Sequence, residues 1–279
     1  MRKKLSLVMA ISLSAIMLLT ACASSSSSKS STAAKGGTFK IGLEAGYAPF
    51  NWTQMDASNG GVKIDGSAEY AGGYDVEIAK KIAKDQGKEL VIVKTEWDGL
   101  VPALISGKID AIVAGMSPTA KRKETIDFSD NYYKSNLVMV VKNGGKYVGA
   151  TSIQDFKGAK VTAQLNTFHY SVIDQIKGVS KETAMDNFPA MRVALQSGMI
   201  AGYVSERPEG VSAESANKDF KMVEFKDGFV TSPEDTSIAV GVAKGSTLTT
   251  QINKTLASIS EKDRTSIMDT AIKNQPAAK

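Results

Sequence analysis

We interpret the chain as organised around the segment Gly115-Met116-Ser117-Pro118-Thr119-Ala120-Lys121-Arg122. It follows an apolar run, residues 109–113, that predicts a buried strand, and it brings two hydroxyl groups and an arginine close together. Thr119 can cap a short polar helix, which would leave backbone N–H groups facing the strand end. Backbone donors, hydroxyls and a guanidinium at one place favour the binding of a carboxylate. The stretch alone also fits a surface arginine in an ordinary loop between a strand and a helix.

The N-terminal residues predict export and lipid attachment. Basic residues at positions 2–4 precede an apolar segment, residues 5–19, that is too short and too lightly flanked to span a membrane. The sequence Leu-Thr-Ala-Cys at 19–22 resembles a bacterial lipobox, with Cys22 as the lipid-modified residue. We therefore expect residues 1–21 to be a signal peptide. The alternative is a chance cysteine at a generic cleavage site.

The residues that follow predict a tether to the outer face of the cell membrane. Residues 22–36 are rich in serine and nearly free of large apolar side chains, which is typical of a flexible linker. Two acyl chains on Cys22 would anchor the chain stably, whereas one chain would be marginal. Cys22 is the only cysteine, so no intramolecular disulfide can form and the folded body must depend on its core.

The composition indicates a globular body and excludes some classes of partner. The 279 residues are 42% hydrophobic and 23% charged, and they are numerous enough for two domains. Removal of residues 1–21 lowers the formal charge from +5 to about +2. No cluster of Lys and Arg with interleaved aromatics indicates a nucleic-acid surface. With His169 as the only histidine, no metal cluster is available, and we expect a monomer without a cofactor or a nucleic-acid partner.

Strand and helix patterns alternate along the body. Residues 38–43, 90–93 and 109–113 each predict a strand, and helical patterns lie between them. We interpret Asp75 and Asp130 as structural caps or loop ligands for backbone N–H groups. Alternation on this scale predicts an α/β fold with a parallel sheet.

Part of this pattern occurs twice. Residues 101–111 and residues 192–202 both contain an apolar helix, a Ser-Gly pair and the start of a strand. When the two Ser-Gly pairs are superposed, Gly115 falls opposite Glu206. Ligands of open α/β sheets bind outside the carboxyl ends of the strands, so two such units predict a cleft between domains. Common rules of helix–strand packing could also produce the repeat.

Six motifs together resemble a known family. They are Gly46-Tyr47-Ala48-Pro49-Phe50, Gly73-Tyr74-Asp75-Val76-Glu77-Ile78-Ala79, Gly107-Lys108-Ile109-Asp110-Ala111, the opening stretch 115–122, Phe128-Ser129-Asp130 and Val161-Thr162-Ala163-Gln164-Leu165-Asn166-Thr167. With these motifs the body, from about residue 38 to 245, resembles the polar amino-acid-binding proteins of bacterial ATP-driven importers, a solute-binding family.

The resemblance implies a two-lobed α/β fold of the periplasmic-binding-protein kind (Venus-flytrap, type II) with two hinge crossings. Lobe 1 would comprise residues 37–134 and 238–279, and lobe 2 would comprise residues 135–237. The lobes would close over one amino acid, and the protein would deliver it to an ABC permease in the cell membrane. The family's role is capture and not catalysis, so we expect no enzymatic activity.

The resemblance also assigns residues to the amino-acid backbone of the ligand. Arg122 falls on the arginine that grips the α-carboxylate. Ser117 and Thr167 fall on positions that add donors to the carboxylate or contacts to the ammonium group. Glu206 stands where the family usually has an aspartate that accepts from the α-ammonium group. From sequence alone Glu206 could instead pair with Arg207 or cap the helix that follows.

Three further residues fall on positions that contact the ligand side chain. Tyr47 and Trp97 match two aromatic residues that sandwich it, although both could be ordinary core aromatics. Glu44 matches an acidic position that often reaches the far end of a polar or cationic side chain. Loop residues of the same motifs complete the predicted site: Gly115, Met116 and Gln164. Two departures from the family are Gly115, where several relatives have serine, and Phe168, which replaces a frequent threonine.

The balance of charges favours a cationic ligand. Two acids, Glu44 and Glu206, with one arginine suit a ligand of net charge +1, because an unpaired buried carboxylate is costly. We therefore expect arginine, lysine, ornithine or histidine, with glutamine or another polar amino acid as the alternative. Two rival functions use the same fold: a dehydratase acting on prephenate-like acids, and a sensor or adhesin without transport.

Overall fold

The computed structural model describes residues 36–276 of the chain. The predicted signal peptide, Cys22 and nearly all of the predicted tether lie outside these residues, so those three features stay predictions. Within residues 36–276, none of the helices combines the length and the apolar character needed to span a membrane.

Strands and helices alternate as the sequence predicts. The strands are β1 (Thr38–Leu43), β2 (Gly46–Tyr47), β3 (Asn51–Gln54), β4 (Val62–Lys63), β5 (Tyr70–Gly72), β6 (Glu89–Lys94), β7 (Ala111–Ile112), β8 (Ile126–Lys134), β9 (Leu137–Lys142), β10 (Lys160–Thr162), β11 (Ser180–Lys181), β12 (Gly202–Glu206), β13 (Phe220–Val223) and β14 (Ser237–Ala243). The helices are α1 (Tyr74–Asp85), α2 (Leu100–Ile105), α3 (Ala120–Lys123), α4 (Phe168–Val172), α5 (Phe188–Ser197), α6 (Arg207–Ala216), α7 (Leu248–Ser258) and α8 (Glu261–Asn274).

Sheet 1 has the strand order β6-β1-β7-β14-β8. β1 pairs in parallel with both β6 and β7, because α1 and α2 carry the chain back to the same end of the sheet between these strands. β14 pairs antiparallel with β7 and β8. The loops that follow β1, β6 and β7 therefore leave the sheet at one edge.

Sheet 2 repeats this arrangement with the order β11-β10-β12-β9-β13. β10 pairs in parallel with β11 and β12, and β9 pairs antiparallel with β12 and β13. The two segments of the sequence repeat lead into β7 and β12, which are the third strands of their sheets. The repeat therefore identifies equivalent strands in the two sheets. The loops after β7 and β12 leave their sheets at equivalent places.

The chain passes twice between the two sheets. It leaves sheet 1 at the end of β8, Lys134, and enters sheet 2 at Leu137; it returns to sheet 1 at Ser237. We call the halves built on sheet 1 and sheet 2 lobe 1 and lobe 2. The predicted parallel arrangement is confirmed for β1, β6 and β7. The strands that follow each crossing, β9 and β14, run antiparallel to the strands beside them, so both sheets are mixed.

Asp75 does not cap a helix, so the first of its two predicted roles is wrong. Helix α1 begins at Tyr74 after Gly73, whose φ of 122° is a glycine conformation, and Asp75 lies inside the first turn. Its buried carboxylate accepts hydrogen bonds from Tyr132 Oη at 2.7 Å and from Asn51 Nδ2 at 2.8 Å. Burial raises the pKa of Asp75 to about 7, against the effect of both hydrogen bonds.

The remaining elements complete lobe 1. Residues 51–71, predicted to be a hairpin or an irregular excursion, contribute to a small sheet of order β2-β3-β5-β4. Asp130 lies within β8 and is exposed, and its N–H donates to Asn253 Oδ1 in α7. The final helices α7 and α8 pack on α1 of lobe 1, and α8 also packs on α6 of lobe 2.

Candidate functional site

The candidate site lies between the lobes, where loops from five strand ends meet. Lobe 1 supplies the loops after β1, β6 and β7, and lobe 2 supplies those after β10 and β12. Open α/β sheets bind ligands at this position. A cavity there is lined by Tyr47, Trp97, Gly115, Ser117, Arg122, Gln164, Thr167, Phe168 and His169. All but Phe168 and His169 belong to the site that the sequence predicts.

The lobes are closed around this cavity. Its volume is about 10 Å³, counted as the space open to the centre of a water molecule. That is roughly the room for one water molecule and far too little for an amino acid. Arg122, Thr167 and Phe168 also line a neighbouring groove of about 740 Å³ on the outside of the cleft.

Arg122 is held at the boundary of the lobes by two backbone carbonyl groups. Thr119 caps α3 and accepts a hydrogen bond from the Arg122 N–H at 3.4 Å. Nη1 donates to Ser117 O at 3.0 Å, and Nη2 donates across the cleft to Asn166 O at 3.1 Å. The guanidinium carbon lies 5.0 Å from the centre of the Trp97 ring. Burial lowers the pKa of Arg122 to about 10, so the group stays charged at neutral pH.

Glu206, the last residue of β12, is only 1% exposed. Oε2 accepts a hydrogen bond from Tyr47 Oη across the cleft at 2.7 Å. Oε1 lies 3.6 Å from His169 Nε2, which is too long for a hydrogen bond, and it has no hydrogen-bond partner within residues 36–276. Arg207 pairs with Glu224, and the Glu206 side chain caps no helix in the described structure. Neither alternative that the sequence allows for Glu206 is observed.

Glu44 directly follows β1 and is 8% exposed. Oε2 accepts a hydrogen bond from Gln164 Nε2 of lobe 2 at 2.9 Å. Oε1 has no hydrogen-bond partner in the part of the chain that the structure describes. Burial raises the pKa of Glu44 to about 7; the bond from Gln164 opposes this rise, and the charges of Glu96 and Asp75 add to it. A cation placed beside Oε1 would favour the charged carboxylate.

Asn166 joins the two lobes twice. Its carbonyl accepts from Arg122, and its Nδ2 donates to Asp98 Oδ1 at 2.8 Å. The residue has a φ of 55°, a left-handed conformation that asparagine adopts more readily than most side chains. Together with the bonds that Glu44 and Glu206 receive, these contacts hold the lobes together through residues of the site itself.

The aromatic residues are arranged differently from the predicted sandwich. Tyr47 stacks on Phe188 of lobe 2, with ring centres 4.3 Å apart and planes 9° from parallel. Trp97 faces the guanidinium of Arg122 instead. A ligand side chain could lie between Tyr47 and Trp97 only in a more open cleft. The aromatic sandwich therefore stays a prediction.

The hydroxyl groups of the predicted site are engaged with backbone carbonyls. Ser117 Oγ donates to Asp235 O at 2.9 Å, and Thr167 Oγ1 donates to Gln164 O at 2.6 Å. Met116 is 1% exposed, and its side chain packs in the core of lobe 1. The structure thus brings Ser117, Thr167 and Gln164 to the cavity and leaves the Met116 side chain behind it.

Gly115 fits its position because it has no side chain. Its φ is 63°, and a Cβ atom there would lie 2.6 Å from Cε1 of the Tyr47 ring. Its N–H donates to Tyr132 Oη at 3.2 Å, and Tyr132 in turn donates to the buried Asp75. A serine at this position would require the Tyr47 ring to move.

Sequence reasoning missed three residues of the site. His169 and Phe168 line the cavity, and Phe188 covers the Tyr47 ring. Phe168 and His169 directly follow Thr167, a predicted site residue, at the start of α4. Their position next to Thr167 could have identified them from the sequence. Phe188 had no such signal, since it comes from a separate helix. Within residues 36–276, no group of three or more His, Cys, Asp or Glu side chains could hold a metal ion.

Comparisons with known proteins agree with the geometry. Residues 39–270 match the family model of the bacterial extracellular solute-binding proteins, family 3. The chain is 31% identical over 245 residues to the arginine-binding extracellular protein ArtP of Bacillus subtilis, covering 85% of this chain and 86% of ArtP. It is 32% identical over 185 residues to a Campylobacter jejuni protein named "probable histidine-binding protein", covering 63% of this chain and 66% of that protein.

A solved structure shows the same architecture. The amino acid ABC transporter substrate-binding protein AbpA of Streptococcus pneumoniae, bound to L-arginine, superposes with a TM-score of 0.72 at 25% identity. The superposition covers 86% of this chain and 95% of AbpA. The predicted two-lobed α/β fold is confirmed, and the chain belongs to the bacterial extracellular solute-binding proteins of family 3.

Proposed function

We propose that this protein captures a free amino acid with a cationic side chain between its lobes and presents it to an ABC permease. One observation carries the proposal: the lobe boundary holds Arg122 and two buried carboxylates, Glu44 and Glu206, and each of the three forms a hydrogen bond with the opposite lobe. Each carboxylate has one oxygen without a hydrogen bond to any described residue. The relatives named for arginine or histidine binding support the same class of ligand.

Arg122 is suited to the α-carboxylate of the ligand. A guanidinium carries five N–H donors in a rigid fork that matches both oxygens of a carboxylate. Two of these donors serve Ser117 O and Asn166 O, and the second bond must break when the lobes separate. The charge of Arg122 would then be satisfied by the ligand and no longer by a carbonyl of the opposite lobe.

Glu206 is suited to the α-ammonium group. Its Oε1 lies 3.6 Å from His169 Nε2 and has no hydrogen bond among the described residues. Its Oε2 is fixed by Tyr47 Oη, which orients the carboxylate. An ammonium group on Oε1 would form a charge-assisted hydrogen bond, which is about twice as strong as a neutral one.

Glu44 decides between a cationic and a neutral ligand. The α-carboxylate and α-ammonium groups of any amino acid pair with Arg122 and Glu206, which leaves the charge of Glu44 uncompensated. A guanidinium, ammonium or imidazolium on the ligand would compensate it, whereas the amide of glutamine could only donate a hydrogen bond. Because an unpaired buried charge costs several kcal/mol, arginine, lysine, ornithine and histidine are favoured over glutamine.

Ligand capture would require opening and closing of the lobes. The closed cleft has roughly the room for one water molecule, so a ligand must enter an open form. We propose residues 37–134 with 238–279, and residues 135–237, as the moving lobes. A ligand that contacts both lobes favours the closed form by its difference in affinity for the two forms.

The leader residues would place this activity outside the cell membrane. We propose that residues 1–21 are a signal peptide, that Cys22 carries the lipid anchor and that residues 22–36 are the tether. This arrangement keeps the body near the permease that receives the ligand. The folded body would act as a monomer.

Arg122→Ala should abolish binding of every amino acid to a similar degree. It removes two charge-assisted hydrogen bonds, each worth about 1.5–3 kcal/mol, so the Kd should rise by at least roughly 100-fold. Isothermal titration of the purified protein with arginine and glutamine measures this. The control is Lys121→Ala, an exposed cation in the same short helix. Binding within about threefold of wild type in Arg122→Ala would contradict the assignment.

Glu44→Gln should weaken cationic ligands far more than neutral ones. The substitution keeps an oxygen for the Gln164 bond and removes the charge, so the Kd for arginine should rise by roughly 10- to 100-fold more than the Kd for glutamine. A thermal-shift screen of the amino acids with ornithine, followed by titration, tests this. Glu96→Gln, an exposed acid near Glu44, is the control. A wild-type Tm rise with glutamine and none with arginine would overturn the cationic ligand.

Glu44→Gln should also stabilise the ligand-free protein at alkaline pH. Burial raises the pKa of Glu44 from 4.5 to about 7, so the native state loses stability as the pH rises from about 4.5 through 7. Gln removes this loss, and Tm at pH 8 should rise by roughly 3–10 °C while Tm at pH 4.5 changes little. Calorimetry at both pH values tests this, with the exposed Glu89→Gln as control. An equal Tm change at the two pH values would contradict it.

Lipid attachment can be tested on the full chain. Cells that make the wild-type protein should incorporate labelled fatty acid into it, and cells that make Cys22→Ala should not. Cys22 is the only cysteine, so no other thiol can carry the label. Equal labelling of both proteins would show that the anchor lies elsewhere.

A further inference from the structure

We propose that His169 competes with the α-ammonium group of the ligand for Glu206, so that protonation of the imidazole weakens amino-acid binding. This inference rests on the function proposed above and adds to it a residue that controls ligand binding by pH. His169 is a buried polar side chain that has no role in the function proposed above.

The position of His169 carries the argument. It lies in the first turn of α4 and is 6% exposed, and its ring lines the same small cavity as Arg122 and Thr167. Nε2 lies 3.6 Å from Glu206 Oε1. Neither ring nitrogen has a hydrogen-bond partner among residues 36–276. A buried imidazole with two unused nitrogens therefore faces the carboxylate oxygen that the ligand would use.

The charged groups around His169 leave Glu206 as its partner. Glu206 comes from β12, and its other oxygen is taken by Tyr47 Oη from lobe 1. Arg122 of α3 lines the same cavity and is occupied by the carbonyls of Ser117 and Asn166. Within the described part of the chain, the one carboxylate close enough to pair with a protonated His169 is that of Glu206.

The two charge states of the imidazole have opposite consequences. When the ring is neutral, Glu206 Oε1 keeps its full charge for an ammonium group. When the ring is protonated, the imidazolium neutralises that charge, and an ammonium group would be a second cation beside one carboxylate. Charges interact strongly in a site from which water is excluded. Histidine is the side chain whose charge ordinarily changes between about pH 5 and 8.

Glu44 must be separated from His169 in any test. Acid also protonates Glu44, whose pKa is about 7 in the closed protein, and this weakens cationic ligands. Both effects therefore have the same sign for arginine. They differ in scope, because the competition at Glu206 acts on every amino acid, whereas the charge of Glu44 acts on the ligand side chain alone.

The experiment is titration of the wild type and variants with arginine and glutamine at pH 7.5 and pH 5.5. One linked proton changes affinity by at most about tenfold per pH unit. The wild-type Kd for glutamine should be about tenfold higher at pH 5.5 than at pH 7.5, and the Kd for arginine should rise further because Glu44 is also protonated. His169→Gln should reduce the ratio for glutamine to less than about twofold, and His169→Gln combined with Glu44→Gln should do the same for arginine, whatever the affinity at pH 7.5. In Glu44→Gln, the Kd for glutamine should still rise between pH 7.5 and pH 5.5, because His169 is unchanged. If only arginine binds, the same rise should be seen for arginine.

Several outcomes overturn the inference. An unchanged ratio in His169→Gln overturns it, and so does a pH-independent wild type. His169→Asn gives a second variant if His169→Gln fails to fold, and circular dichroism with the Tm checks folding of each. A His169 side chain that only packs beside Phe168 would affect affinity equally at both pH values. Normal binding at pH 7.5 with a flat pH profile would leave the proposed function standing, whereas no amino-acid binding at pH 7.5 would overturn both.

Discussion

The structure depends on how three charged side chains, Arg122, Glu44 and Glu206, are satisfied where the lobes meet. Removing a charge from water costs several kcal/mol unless polar groups replace the water. In the closed protein each of the three receives one polar contact from the opposite lobe. These contacts are partial, since one oxygen of each carboxylate lacks a hydrogen bond among the described residues. The lobes can therefore close on their own side chains, and a ligand with complementary charges satisfies the same groups more fully.

The topology brings these charges together. β7 and β12 occupy equivalent places in two sheets of the same strand order, and each ends at a loop that carries site residues. Glu44 follows β1, Arg122 follows β7 and Glu206 ends β12. In both lobes these strand ends lie at the cleft, where open α/β sheets bind ligands. Two crossings join the lobes, so they can separate without breaking either sheet. Outside the charged groups, the lobes also contact each other where α5 packs on β2 and where α6 packs on α8, so the charged contacts of the site are one part of the cost of opening.

Sequence reasoning succeeded where local pattern and repetition decide the structure. The repeat around the Ser-Gly pairs located β7 and β12. The family resemblance, and not a local pattern, assigned ligand-binding roles to Glu44, Arg122 and Glu206, and those roles stay predictions. Sequence reasoning failed where a neighbour distant in sequence decides. Asp75 matched a helix cap, yet Tyr132 and Asn51 hold it inside the core. The approach of His169 to Glu206 depends on how α4 faces β12, which no local pattern encodes. The Tyr47–Phe188 stack likewise depends on closure of the lobes.

The separation of roles among three loops has a consequence for ligand choice. In the proposed function, Arg122 and Glu206 would bind the carboxylate and ammonium groups that all amino acids share, so they would supply affinity but no preference among side chains. Preference would then come from Glu44 and the aromatic residues, which lie on loops after β1 and β6. The cost of burying Glu44 would be the physical basis of that preference, because a cationic ligand would relieve the cost and a neutral one would not. A relative with a neutral residue in place of Glu44 would still bind the carboxylate and ammonium groups of an amino acid. It would lose the preference for a cationic side chain. The same fold can thus serve different amino acids by changing one strand-end loop.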